Sequence, residues 1–523
     1  WGAMASEVSD VSVLTEQFEA LRQELRDGFD NGNTRSETWR REALRSLRRG
    51  MDKHFKAGVQ ALKTDLGRST TEAAGELETI KGEIDTQLAH LSRWMKPEVR
   101  STHLLFTPGH TEVRREPFGV VLVIAPFNYP VNLSLVPLVG AIAAGNPVVL
   151  KPSELTPNVS SWLEMLLTSS MGSDAVRVVQ GAIPETTALL RLCWDFIFFT
   201  GSGRVGKIVS RAAAEHCTPN VMELGGKAPV YVDSNISSMR EAAKRVVMGK
   251  FINAGQTCMA PDYVLCHHTS KDRFVAEVKR TVEEFFTLNP RESADFGRIC
   301  TKAHMARIAK LVNESGGQVI CGGAEKADEA QRYFPPTVIA DPKADCALLN
   351  EEIFGPVLPI LSVESAEEAI KTIRGVDPQP LCLYVFSSRS ATVERMLSSI
   401  QSGDALINDT FIHATNPTIP FGGVGTSGHG TYKGRLSYET FTYARGVLWR
   451  NGMFDIDQTL PFNVRYPPSG RMRELLLPSA LRLFPMVPPL KYTLLGVLAI
   501  GILIGVNAEY EFLQAFWSNQ ICT

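Results

Sequence analysis

The 523-residue chain has no CxxC pair among its nine cysteines, no long block of one charge, no internal repeat and no low-complexity stretch. Each absence closes off a class of protein. The cysteines (193, 217, 258, 266, 300, 321, 346, 382 and 522) are odd in number and irregularly spaced, which argues against both a disulfide framework and a zinc site and favours a reducing compartment. A formal net charge of −2 offers no field for nucleic acid. The first residues, "WGAMASEVSD", lack the apolar run of a signal peptide. At this length two or three domains are expected.

One long hydrophobic run is present, and it lies near the C-terminus. Tyr492 to Val506 is uncharged and carries no polar face, and "RLFPMVPPLK" precedes it. A helix of about fifteen residues reaches roughly 23 Å, short of a hydrocarbon core of about 30 Å, though bilayers absorb some mismatch. A buried core helix is the bland alternative. Arg471, Arg473, Arg482 and Lys491 before the run, with Glu509 and Glu511 after it, orient the globular part toward the cytoplasm. The expectation is a membrane-anchor helix over 491–507 at the cytoplasmic face of an intracellular membrane.

Residues 11 to 95 read as helices, with Val13, Phe18, Leu21 and Leu25 along one stripe of the first. "TPGHTEVRREPFG" predicts a hairpin from its Pro-Gly turn and alternation. "GVVLVIAP", "PVVLKP", "AVRVVQG" and "FIFFTGS" are buried strands separated by helical segments, the texture of βαβ units and an α/β fold. A second such pattern begins near residue 228. "ALINDT" and "FTYARGVLW" read as late strands that pair with the 105–115 hairpin.

Several stretches carry chemistry. In "FIFFTGSGRVGKIVS", Gly201, Gly203 and Gly206 satisfy G-x-G-x-x-G between a strand and a helix, an arrangement that lets a pyrophosphate approach a helix N-terminus. Glu223, about twenty positions on, is a ribose clamp, a general base or a plain loop carboxylate. Lys151 and Glu154 emerge at a strand end, where ligands of open α/β sheets bind, and are a second ribose candidate. Asn128, between Pro126 and Pro130, is a turn residue or a fixed oxyanion donor. Cys258 follows Asn-Ala-Gly-Gln-Thr in a turn, whereas most other cysteines sit in apolar stretches such as "RLCWDF", "YVLCHH" and "PLCLYVF" and read as small buried hydrophobes.

Taken together, "PFNYP", "KPSE", "FTGS", "MELGGK", "FINAGQTC" and "EEIFGPV", in that order, resemble the aldehyde dehydrogenase superfamily over about residues 15 to 450. "APDYVL" and "PFGGVGTSGHGTYKGRLSYETFTYARG" are similar to its class 3, fatty-aldehyde branch, whose members carry a C-terminal membrane segment, and to fungal apocarotenal dehydrogenases. The resemblance implies an aldehyde dehydrogenase-like fold. Residues 1–104 and 119–225 would form a Rossmann-type NAD-binding domain and 226–405 a catalytic domain. Strands in 105–118 and 406–450 would bridge an oligomer, and 451–490 would be a C-terminal extension. It implies Cys258 as nucleophile, Glu223 as general base and Asn128 in the oxyanion hole. Lys151 and Glu154 would hold the adenosine ribose, Gly201, Ser202 and Gly206 the pyrophosphate turn, and Glu352 and Phe354 the nicotinamide ribose and ring. No metal is implied. Glu154 favours NAD, with NADP tolerated in class 3 relatives. The expected activity is oxidation of a long hydrophobic aldehyde by a homodimer. A medium-chain detoxifying enzyme and a non-catalytic NAD-binding scaffold are the competing readings.

Overall fold

The computed structural model describes residues 2–102 and 109–450, with positions 467 and 474 in isolation. The expected anchor helix 491–507 lies outside the described residues. Among those described, no helix is long and apolar enough to cross a membrane.

Three helices, Gly2–Asp30, Glu37–Leu66 and Thr70–Trp94, open the chain. Local chemistry sets their ends. The Ser36 side chain accepts the Trp39 N–H at 3.1 Å, and Gly67 closes the second helix at φ 60°, where a Cβ would meet Arg298. Of the stripe expected on the first helix, Leu25 is buried and Phe18 and Leu21 pack against the core, but Val13 stands exposed.

The strands follow in order as β1 (Glu98–Arg100), β2 (His110–Pro117), β3 (Val121–Ile124), β4 (Val148–Lys151), β5 (Val176–Val178), β6 (Phe196–Thr200) and β7 (Asn220–Glu223). The second α/β half supplies β8 (Pro229–Val232), β9 (Tyr263–His267), β10 (Gln318–Cys321), β11 (Thr337–Ala340), β12 (Val357–Val363), β13 (Cys382–Phe386) and β14 (Asp404–Ile407). Two late strands, β15 (Gly428–His429) and β16 (Thr442–Trp449), complete the set among the described residues.

They form three sheets. The first runs β15-β7-β6-β3-β4-β5, parallel throughout except at β15. Its parallel strands lie in the order third, second, first, fourth, fifth, so the direction in which successive strands are added reverses between β3 and β6. That is a topological switch point, and ligands of such sheets sit beyond the strand carboxyl ends there. The apolar runs read from the sequence are the buried strands: every residue of β3, β4 and β6 is buried, as parallel sheets covered on both faces require. Leu122, Ile124, Val149, Ile197 and Phe199 face Val209 and Ala213 of the helix Gly203–Glu215 in one core cluster.

The second sheet runs β10-β11-β12-β9-β8-β13-β14, parallel except for β10. β14, from "ALINDT", lies parallel to β13 in this sheet and does not join the hairpin strands as expected. Its neighbour offers a buried apolar strand in register, which the short 404–407 run matches better than an antiparallel edge. "FTYARGVLW" does join them: β16 lies beside β2 in a third sheet ordered β1-β2-β16. The chain divides into two compact units, Trp1–Trp94 with Pro117–Tyr443, and Met95–Glu116 with Ala444–Thr523. The first two sheets belong to the first unit.

Candidate active site

A cleft of about 780 Å³ opens beyond the carboxyl ends of β3, β4, β6 and β7. Asn128, Lys151, Glu154, Gly201, Ser202, Glu223, Cys258, Glu352 and Phe354, spread over more than two hundred residues of sequence, all line it. Gly206 does not. It is buried one turn into the helix Gly203–Glu215, and a Cβ there would meet Leu224 at 2.6 Å, so this glycine serves helix-to-strand packing.

On one side of the cleft, the ends of the first sheet present polar groups suited to a dinucleotide. Ser202 caps the helix Gly203–Glu215, its oxygen accepting the Val205 N–H at 3.4 Å, and leaves the positive end of that helix facing the cleft. At the end of β4, Lys151 Nζ donates to the Pro152 carbonyl at 2.7 Å and lies 3.4 Å from Glu154. Burial lowers the Lys151 pKa and Glu154 opposes that. The pair offers an acceptor and a donor side by side, as a ribose diol requires.

On the other side, the segment Glu351–Gly355 is held by buried charges. Lys227 Nζ donates to Asp262 at 2.6 Å and to the carbonyls of Leu348 and Glu351 at 3.0 and 2.8 Å. Asp262 also accepts the Ile353 N–H at 3.2 Å. His304 Nε2 meets the Phe354 carbonyl at 2.7 Å, and Arg307 donates to the Glu352 and Ile353 carbonyls. These contacts fix Phe354 in a left-handed conformation at φ 50°. Burial, outweighing that hydrogen bond, drops the His304 pKa to about 4, so it is neutral.

Between the two sides stands Cys258. The preceding turn is strained: Asn253, Ala254 and Gly255 have φ of 51°, 52° and 75°. A Cβ at Gly255 would lie 2.3 Å from the Gly355 carbonyl oxygen, so glycine is required. Gln256 braces the turn, its amide donating to the Arg298 carbonyl at 2.9 Å and accepting the Cys300 N–H at 2.8 Å. Asn128 is drawn to the same turn, its amide donating to the Gln256 carbonyl at 3.1 Å. Behind both lies a buried ion pair, Arg68 with Glu76. Arg68 also donates to the Asn128 carbonyl and to Asn253 Oδ1, the latter at 3.0 Å, while Asn253 Nδ2 reaches the Asn128 carbonyl at 2.8 Å. Glu76 accepts the Val131 and Asn132 N–H groups at 2.9 and 2.8 Å.

Glu223 ends β7 and is pinned through its backbone. Its carbonyl accepts the Gly201 N–H at 3.0 Å, and the flanking Leu224 N–H reaches the Ser427 carbonyl at 3.1 Å. β15 closes this contact at Gly428, where a Cβ would lie 1.9 Å from the Met222 carbonyl oxygen. Neither carboxyl oxygen of Glu223 has a hydrogen-bond partner among the described residues. Burial, with Asp404 adding to it, raises its pKa well above the carboxylate range, and Lys433 opposes this. Burial likewise pushes the Cys258 thiol up to about 12, aided by Glu352 and Glu223, and pushes Glu352 up to about 8. Such displaced values, grouped in one cleft around a cysteine, make this cleft the candidate site.

The sequence profile of the Aldehyde dehydrogenase family matches residues 6–447. The chain belongs to this family. It is 40% identical to the 4,4'-diaponeurosporen-aldehyde dehydrogenase of Staphylococcus aureus over 434 residues, 83% of this chain and 94% of that one. It is 43% identical to the mouse (Mus musculus) aldehyde dehydrogenase family 3 member B2 over 465 residues, 88% and 95% of the two chains. A solved Staphylococcus aureus structure described as the substrate-bound state of AldH superposes with a TM-score of 0.85 at 38% identity, covering 88% of this chain and 99% of that one. The protein is therefore an aldehyde dehydrogenase of the class 3 branch, and the family's acceptor is NAD(P).

Arg68, Glu76, Asn253, Lys227, Asp262, His304 and Arg307 were not singled out from the sequence. Their partners are far away in the chain, 185 residues for Arg68 and Asn253, and no local spacing announces them. The expected burial of the other cysteines holds for Cys266 and Cys382 but not for Cys193, which is exposed, because "RLCWDF" turns at the surface before β6.

Two outcomes follow from this geometry. Replacing Arg68→Met strands the Glu76 carboxylate and should destabilise the protein by about 3–5 kcal/mol, seen as a lower thermal midpoint by scanning calorimetry. An unchanged midpoint would show that the ion pair is dispensable. In cofactor-free protein the raised Cys258 pKa means that its thiolate fraction grows about tenfold per pH unit from 7 to 10. Iodoacetamide labelling of Cys258, followed by peptide mass spectrometry, should climb accordingly. A plateau near pH 8.5 would contradict it.

Proposed function

We propose that this aldehyde dehydrogenase oxidises a long, hydrophobic aldehyde, a fatty aldehyde or an apocarotenal, to its acid, with Cys258 as nucleophile, Asn128 in the oxyanion hole and Glu223 as general base. The observation that carries the assignment of roles is the convergence of Cys258, unpartnered Glu223 and the anchored Asn128 amide on one cleft. Burial disfavours the charged form of both Cys258 and Glu223, and the reaction requires each to give its proton to solvent in turn. The Cys258 thiolate adds to the aldehyde carbon, and the Asn128 amide with the Cys258 N–H holds the developing alkoxide. When bound, oxidised nicotinamide supplies the two-electron acceptor. Collapse of the alkoxide expels the hydride from carbon and leaves a thioester on Cys258. Glu223 then takes a proton from water as that water attacks the acyl carbon, the C–S bond breaks, and the acid leaves.

The polar groups of the cleft fit a dinucleotide. Lys151 and Glu154 suit the adenosine ribose, the helix beginning at Ser202 the diphosphate, and Glu352 and Phe354 the nicotinamide ribose and ring. Glu154 repels a 2′-phosphate, which favours NAD over NADP.

The apolar run Tyr492–Val506 supports a seat at the cytoplasmic face of a membrane. A substrate whose every methylene favours lipid by about 0.8 kcal/mol is found there. A homodimer is supported by β16, which among the described residues is an edge strand of its sheet with most side chains exposed, the kind of edge that can pair with a second copy.

The test is NADH formation by detergent-solubilised protein with hexanal, hexadecanal and a C30 apocarotenal, with Cys258→Ala as blank. A kcat/KM for either long substrate far above that for hexanal is expected. Equal values for all three would make the enzyme a general detoxifier whose tail sets location alone. Glu223→Gln should release a burst of about one NADH per chain and then stall as the acyl-enzyme. Steady turnover by this variant would remove Glu223 from the hydrolytic step.

A further inference from the structure

Three side chains that the oxidation does not use converge beside the cleft. Cys382 opens β13 and Asp404 opens β14, and the parallel register sets them directly opposite each other. In-register residues of neighbouring strands point to the same face, about 5 Å apart. The turn Ile412–Thr415, just beyond β14, returns His413 to the same point. Cys382 Sγ lies 3.4 Å from His413 Nε2, and Asp404 Oδ2 lies 3.5 Å from that same nitrogen. The sulfur, the nitrogen and a carboxylate oxygen all fall within 4.8 Å of one another. The side chains of His413 and Asp404 are only 4% and 9% exposed.

A hydrogen-bonded relay does not account for this arrangement. In a thiol–imidazole–carboxylate relay the acid holds one ring nitrogen and the thiol the other. Here both address Nε2, which has at most one proton to give. Asp404 Oδ2 and His413 Nδ1 meanwhile have no hydrogen-bond partner among the described residues. The sulfur–nitrogen and nitrogen–oxygen spacings instead match a tetrahedral cation. With Zn–S near 2.3 Å and Zn–N and Zn–O near 2.0–2.2 Å, tetrahedral angles separate sulfur from nitrogen by roughly 3.6 Å and nitrogen from oxygen by roughly 3.4 Å.

We propose that Cys382, Asp404 and His413 form a binding site for one divalent cation of the zinc class. Thiolate, imidazole and carboxylate are a borderline-soft set that selects zinc, or cobalt as its surrogate, over magnesium or calcium. Three protein ligands leave the fourth position to water. Binding releases the Cys382 proton to solvent, and the dication satisfies the thiolate and the orphaned Asp404 oxygen together. Lys433, whose charge interacts with Asp404, is the competing cation nearby, and it is already engaged by the Ala414 carbonyl and the Phe421 ring.

The experiment titrates the full-length protein with Co(II) and follows the thiolate-to-cobalt charge-transfer band and the visible bands of a tetrahedral centre. The wild type and Cys258→Ser should both show them. Cys382→Ala should lose the charge-transfer band, and Asp404→Asn and His413→Gln should weaken binding by about tenfold or more. NADH binding and thermal unfolding of each variant report whether it is folded. Should Cys382→Ala not fold, Asp404→Asn decides. A band that persists in Cys382→Ala, a band lost in Cys258→Ser, undiminished binding in Asp404→Asn, or no uptake by the wild type would each overturn the assignment.

Discussion

The buried ion pair between Arg68 and Glu76 is the contact on which the site depends. Removing two charges from water costs several kcal/mol per ion, and attraction alone seldom recovers it. The cost is offset here because almost every valence is used. Arg68 serves Glu76, the Asn128 carbonyl and Asn253, and stacks 4.3 Å from the Tyr129 ring centre, while Glu76 takes two backbone N–H groups. The pair thereby ties the N-terminal helices to two loops from different sheets, the one bearing Asn128 and the one presenting Cys258. A hydrophobic pair of equal volume could fill the same space but would not fix the register of those loops.

The electrostatics of the cleft follow from its dryness. Cys258, Glu223 and Glu352 are all shifted toward their protonated forms by burial. Burial disfavours the charged form of each, and three acids sharing one low-dielectric space cannot all ionise. A cationic nicotinamide ring would alter that balance in favour of the thiolate.

Much of this was legible in the sequence. Buried parallel strands announce themselves as apolar runs, and β3, β4 and β6 match the segments read that way. Motifs at strand ends revealed the groups lining the cleft, because a parallel sheet gathers its carboxyl ends on one side. Three kinds of feature stayed hidden. Long-range clamps such as Arg68, Lys227 and His304 have no periodicity to betray them. Gly206 satisfied a phosphate-binding spacing while serving helix packing, since both uses demand a missing Cβ. β14 was assigned to the wrong sheet because a four-residue strand carries no alternation that distinguishes neighbours. The pairing of Cys382 with Asp404 is a property of register and is invisible until the sheet is assembled.

The left-handed turn before Cys258 bears on how this enzyme can drift or be engineered. Ala254 is an ordinary L-residue held at φ 52° with its methyl buried. A glycine there would relieve about 1 kcal/mol of backbone strain and forfeit about 0.8 kcal/mol of methyl burial. The two nearly cancel, so selection for folding alone is blind to the position. What the methyl provides is narrowness: it removes alternative backbone paths that would let the thiol wander. Ala254→Gly is therefore a change that expression or melting would tolerate more readily than turnover would.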